Sequence, residues 1–173
     1  MFRIMLIYGA IAGVVIIGVM SLGMFLSGGS GSVVQGYLTM LVVLSLIFVG
    51  VKRYRDKELG GVIKFLTALG LGIGIAAVAA VFYVLSWETS LHLTDFAFVE
   101  NYKQSTIAAY EAKGLTGAAL AEKVTALETM MANYDNPVYR VPITFLEIFP
   151  VGLLVALISA ALLRNPKVFP AKV

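Results

Sequence analysis

Long apolar runs dominate the chain. Four of them can cross a hydrocarbon core about 30 Å thick, which takes about 20 helical residues. They extend from Ile4 to Leu26, from about Val33 to Val51, from about Phe65 to Trp87 and from Ile143 to Leu163. The first follows Arg3 and contains no charge. It exceeds the about 7–15 apolar residues of a secretory leader, so it reads as an uncleaved span. After it, Ser27-Gly28-Gly29-Ser30-Gly31-Ser32 forms a flexible linker with room only for a tight helix–helix connection.

Residues 88–142, between the third and fourth runs, carry a different pattern. Leu120, Val124, Leu127, Met131 and Tyr134 recur at steps of four and three, which places them on one face of a helix. Phe96, Val99, Tyr102, Thr106 or Ile107, and Tyr110 make a rougher stripe upstream. Gly114 suits a left-handed helix end, Thr116 a helix start, and Asn136-Pro137 a stop. The spacing therefore predicts an antiparallel hairpin over about 95–113 and 116–134. Its stripes are buried against each other and the span tops, or in part offer a docking face to another protein.

Composition strengthens the membrane reading. Of 173 residues 60% are hydrophobic and 13% charged, whereas a soluble domain holds about a quarter charged. A single soluble core is excluded, and an all-α polytopic membrane protein remains: four transmembrane helices with an extracytoplasmic helical hairpin between the third and fourth. Thirteen basic against ten acidic groups do not signal nucleic acid here, because the cations stand at the ends of apolar runs. Arg3, Lys52, Arg53, Arg55, Lys57, Lys64, Arg164, Lys167 and Lys172 fall on one side of the proposed membrane; only Lys103, Lys113, Lys123 and Arg140 fall on the other. Inside-positive bias puts both termini in the cytoplasm. Tyr37, Tyr83, Trp87 and Tyr139 then sit near the outer span edges. The cluster Lys52, Arg53, Arg55 and Lys57 fixes topology and attracts anionic headgroups. With no cysteine, disulfides and thiolate metal sites are excluded.

Glu147 is the acid inside a predicted span, a costly position that points to function. About four residues in from the outer end, it lies roughly 6 Å deep. It is either a carboxylate tied to a neighbouring helix end or interfacial water, or an ion or proton site. Arg140, Tyr83, Ser86 and His92 stand at compatible depth as partners. Pro150 and Gly152 follow and make this stretch of the helix irregular. Glu88, His92 and Asp95 would share one face of a continuous helix as zinc-type ligands. Boundary charges produce such spacing by chance, so no metal and no cofactor is assigned.

Gly70-Leu71-Gly72-Ile73-Gly74 lacks the strand and polar turn that a nucleotide-binding loop needs. Small residues instead form ridges: Gly9 and Gly13; Ala68, Gly72, Ala76 and Ala80; Gly152, Ala156 and Ala160. Such ridges let helices approach closely in lipid, within the chain or between copies. Met5, Met20, Met24 and Met40 read as apolar filler. No Ser-His-Asp set, Walker loop or paired deep carboxylate is present, so an enzyme is not expected.

Lys52-Arg53-Tyr54-Arg55-Asp56 with Gly60-Gly61 and Phe65, Asn136-Pro137, and Thr144 to Gly152 with Leu157-Ile158-Ser159-Ala160 resemble the uncharacterised bacterial membrane family called domain of unknown function 4199. The resemblance implies four membrane helices with an extracytoplasmic helical insertion, in a bacterial inner membrane, and supplies no activity. The expected role is a non-enzymatic scaffold that presents the hairpin to a protein partner or a second copy. The alternative is a small oligomeric transporter or channel component that uses Glu147, since four helices leave little room for a conduit.

Overall fold

The structure is a computed structural model that describes residues 1–26 and 33–171. The Gly/Ser linker at 27–32 and Lys172 lie outside the described residues, as do the side chains of Met20 and Met24. Among the described residues the fold is all α, with helices α1 (Phe2–Leu26), α2 (Val33–Leu44), α3 (Leu46–Glu58), α4 (Phe65–Leu93), α5 (Ala97–Ala112), α6 (Gly117–Tyr134) and α7 (Pro137–Leu163). Four candidate spans result: α1, the α2–α3 pair, α4 and α7.

The helices run past the edges of the apolar runs. Helix α4 continues through Leu93 rather than stopping at Trp87, and α7 starts at Pro137 rather than Ile143. At 1.5 Å per residue, these 29- and 27-residue helices are about 43 and 40 Å long. Each thus exceeds the hydrocarbon core by about 10 Å. The second span is interrupted at Ser45, whose hydroxyl bonds to the Val42 carbonyl at 2.6 Å. It ends at Glu58, so Lys52 to Lys57 lie on the last turns of α3 and not in a loop.

Helix α4 is the centre of the bundle, packed against α1 on one side and α7 on the other, with α3 across both. Glycine and alanine make that proximity feasible. A Cβ at Gly72 would lie 2.8 Å from the Ala156 Cβ, and one at Gly152 would lie 2.7 Å from the Ala76 Cβ. On the other side of α4, a Cβ at Gly13 would lie 2.6 Å from the Ala79 carbonyl oxygen, and Gly9 meets Val78 with equal intimacy. All three ridges therefore face other helices of the same chain, with Ala68, Ala80 and Ala160 fully buried beside them. The core continues through Ile47, Leu71, Ile75, Met40 and Leu44; Met5 packs against it at Gly74.

The hairpin of α5 and α6 lies between the third and fourth spans. Leu120, Val124, Met131 and Tyr134 are half-buried and Leu127 is buried, so the α6 stripe is covered, while α5 has no fully buried residue. Gly114, at φ +81°, turns the chain after α5, and the Leu115 and Gly114 amides bond back to the Tyr110 and Glu111 carbonyls. That is the six-to-one and five-to-two pattern of a Schellman end. Thr116 occupies the position before α6, but its side chain makes no capping bond. Asn136 caps α7 instead, accepting from the Val138 amide at 3.0 Å, with Pro137 at the first helical position.

Candidate functional site

Three polar constellations stand out in the bundle: the hairpin root, the flank at Glu147, and the basic end. The root forms where α4 and α7 emerge beyond the apolar zone. Arg140, three residues into α7, is fully enclosed. Its Nε and Nη2 donate to the two carboxylate oxygens of Glu88 on α4 at 2.7 and 2.6 Å. Its Nη1 donates to the carbonyls of Tyr134 and Asp135, at 2.8 and 3.2 Å, at the end of α6. The guanidinium also lies over the rings of Phe96 and Tyr134, 5.2 and 5.7 Å from their centroids. A planar guanidinium suits this role, because it pairs bidentately, keeps a donor for carbonyls and still stacks. One side chain thus joins α4, α6, α7 and the residue preceding α5.

The aromatic residues complete the root. The Trp87 indole donates to the Tyr134 hydroxyl at 2.8 Å and meets Phe98 edge-on at 4.9 Å. Burial pushes the Tyr134 phenol above its ordinary value, outweighing hydrogen bonds from Trp87 and Thr144 that act the other way. The passage from α4 to α5 is strained: Asp95 and Phe96 adopt φ +47° and +58°, a region that bulky side chains rarely enter. Two features hold them there. The Phe96 amide bonds to the Leu91 carbonyl at 2.9 Å, and the ring is held between Arg140 and His92, whose imidazole lies 5.3 Å away.

Around Glu147, the Tyr83 hydroxyl on α4 donates to the carboxylate over a long 3.4 Å. Arg140 does not reach it, being committed to Glu88 one end and the α6 carbonyls at the other. None of the ion pairs among the described residues includes Glu147, and His92 stacks on Phe96 instead. Ser86 is half-buried on α4. Glu147 is seven residues beyond Arg140, about 10 Å further along α7. It lies on the exposed outer side of the bundle, with Pro150 exposed next to it, whereas Gly152 faces α4. Glu88, His92 and Asp95 do not converge: Glu88 is taken by Arg140, His92 by Phe96, and Asp95 lies past the helix end. Among the described residues no three side chains of this kind form a metal cluster.

At the basic end Arg55 is as enclosed as Arg140. Its Nε donates to Asp56 at 2.7 Å, and its Nη1 donates to the Val168 carbonyl at 3.0 Å and the Leu163 carbonyl at 3.4 Å. A further bond reaches the Phe169 carbonyl, and Lys52 pairs with Asp56. Arg55 therefore satisfies the buried last carbonyl of α7 and ties down the segment after it. Cations at a helix C-terminus are favoured by the dipole. Phe169, at φ +49°, is held there and packs edge-on to Phe48 at 5.4 Å. Read as a surface cation in a topogenic cluster, Arg55 gives no sequence signal of this; only the tertiary contact reveals it.

The pairing of Arg140 with Glu88 had a signal that hydropathy concealed. Once α4 is extended through Leu93 and α7 back to Pro137, both residues occupy the same level near the helix ends. No curated protein and no solved structure matches the chain. Over residues 7–165, which take in the hairpin and nearly all of the four spans, it matches the family described as protein of unknown function DUF4199, and it belongs to that family.

Proposed function

We propose that the chain is a non-enzymatic inner-membrane protein whose bundle is a rigid base for the α5–α6 hairpin, held outside the cytoplasm for a protein partner or a second copy. Both termini and the basic end face the cytoplasm in this reading, as the lysine and arginine distribution favours. The observation that carries it is the root. A free linker would not need a fully enclosed arginine joining α4, α6 and α7. The hairpin is thus oriented by the bundle while its outward face, including Glu122, Thr125 and Thr129, is exposed. Leu127 is buried and is not the place for a probe. Photo-crosslinking residues at 122, 125 and 129 should capture a discrete protein adduct or a dimer. Recovery of monomer and lipid alone from all three positions would refute the scaffold reading.

The Tyr83–Glu147 bond supports a second reading, in which the outer flank of α7 meets another copy and Glu147 passes an ion or proton at that junction. It predicts a proteoliposome flux that Glu147→Gln abolishes with the fold intact. A flux unchanged by that substitution, or none from the unaltered chain, removes it.

A further inference from the structure

The basic end holds a cleft of about 290 Å³ between α1 and α3, lined by Tyr8, Val49, Lys52, Arg53, Asp56 and Lys57. Its charge is unbalanced. The Asp56 carboxylate is already engaged by Arg55 and Lys52, while Arg53 and Lys57 enter none of the ion pairs among the described residues. These two cations are four residues apart on α3 and so share one face, where like charges repel. An anion in the cleft would relieve that repulsion. Above the cations the surface turns apolar: Val49 is exposed in the cleft wall, Val42 lies two turns further along the same span, and Ile11 and Val15 continue the side of α1 that carries Tyr8. A cationic pocket at the membrane edge that opens onto an apolar track matches a molecule with a phosphate head and an acyl tail.

We propose that this cleft is a binding site for the phosphate of an anionic phospholipid, with Arg53 and Lys57 on the phosphate oxygens and the acyl chain along Val49, Val42 and Ile11. The juxtaposition of basic pocket and lipid-facing helices is the usual geometry for headgroup recognition. The site stands whichever leaflet the basic end occupies, and does not depend on the role of the hairpin.

The full chain is equilibrated in vesicles of phosphatidylcholine with phosphatidylglycerol, extracted in mild detergent, and its retained lipid measured by native mass spectrometry. Phosphatidylglycerol should be retained selectively. Retention should fall about fivefold for each charge removed in R53Q and K57Q, and Val49→Trp, which fills the cleft without changing charge, should lower it as well. The pair R164Q/K167Q, at the same end but outside the cleft, should leave it unchanged. Equal losses in both charge pairs would show diffuse attraction and overturn the proposal, as would no selective retention. Displacement of the lipid by millimolar inorganic phosphate would reassign the cleft to free phosphate. Thermal unfolding midpoints establish that each variant is folded; if R53Q/K57Q is not, Val49→Trp decides.

Discussion

Arg140 and Arg55 are both fully enclosed, yet each meets a different set of acceptors. Arg140 shares a bidentate pair with Glu88, so truncating it strands a carboxylate as well as two carbonyls. Removing one partner of such a pair costs about 2–5 kcal/mol, and Glu88, which keeps some solvent contact, places Arg140→Met toward the lower part of that range. The double variant Glu88→Gln/Arg140→Met should recover part of the loss, because no lone charge is left. Trp87, the chain's single tryptophan, reports the transition by fluorescence. The same probe reads Tyr134. The folded phenol holds its proton above the ordinary value of 10.0, so its contribution is complete below about pH 10 and is lost as pH climbs through the higher folded value. Trp87 emission should therefore hold through neutral pH, drop in strong alkali, and lose that drop in Tyr134→Phe. A transition centred near neutrality would contradict the buried phenol.

Helix packing reads directly from the small residues, and the glycines of α1 separate packing from propensity. Gly13 has no space for a methyl group against the Ala79 carbonyl, whereas Gly18 has nothing within 4 Å. The same chemical change thus acts in opposite directions. Gly13→Ala should lower stability by about 1–3 kcal/mol through overpacking, and Gly18→Ala should be neutral or raise it by about 0.5 kcal/mol through helix propensity, both measured by unfolding in detergent. At this scale the sequence was legible wherever periodicity carried the information. The four spans, the two hairpin helices and the turn at Gly114 followed from apolar spacing and a single glycine. Helix ends were less legible, because hydropathy falls at the first charge while the backbone ladder continues: α4 extends through Glu88 to Leu93, and α7 begins six residues before Ile143. The left-handed turn at Asp95 and Phe96 had no glycine to announce it. The partner of Arg140 depended on those extended ends, and the burial of Arg55 on a contact with residues more than a hundred positions away.

In the whole molecule, two buried guanidiniums fasten opposite ends of one bundle. Arg55 holds the segment after α7 at the basic end, Arg140 holds the hairpin at the other, and the glycine and alanine ridges close the helices between them. This arrangement explains why small residues and charges coexist in so apolar a chain: the ridges set helix distance, and the arginines set the orientation of what protrudes. It requires the hairpin and the end of α3 to lie on opposite sides of a membrane. The chain contains no cysteine, so single cysteines report without background. Glu100→Cys on α5 and Glu58→Cys at the end of α3 are both exposed positions. In intact cells a membrane-impermeant maleimide should label position 100 and spare position 58 until the membrane is opened. Labelling of both positions from the same side would contradict the account.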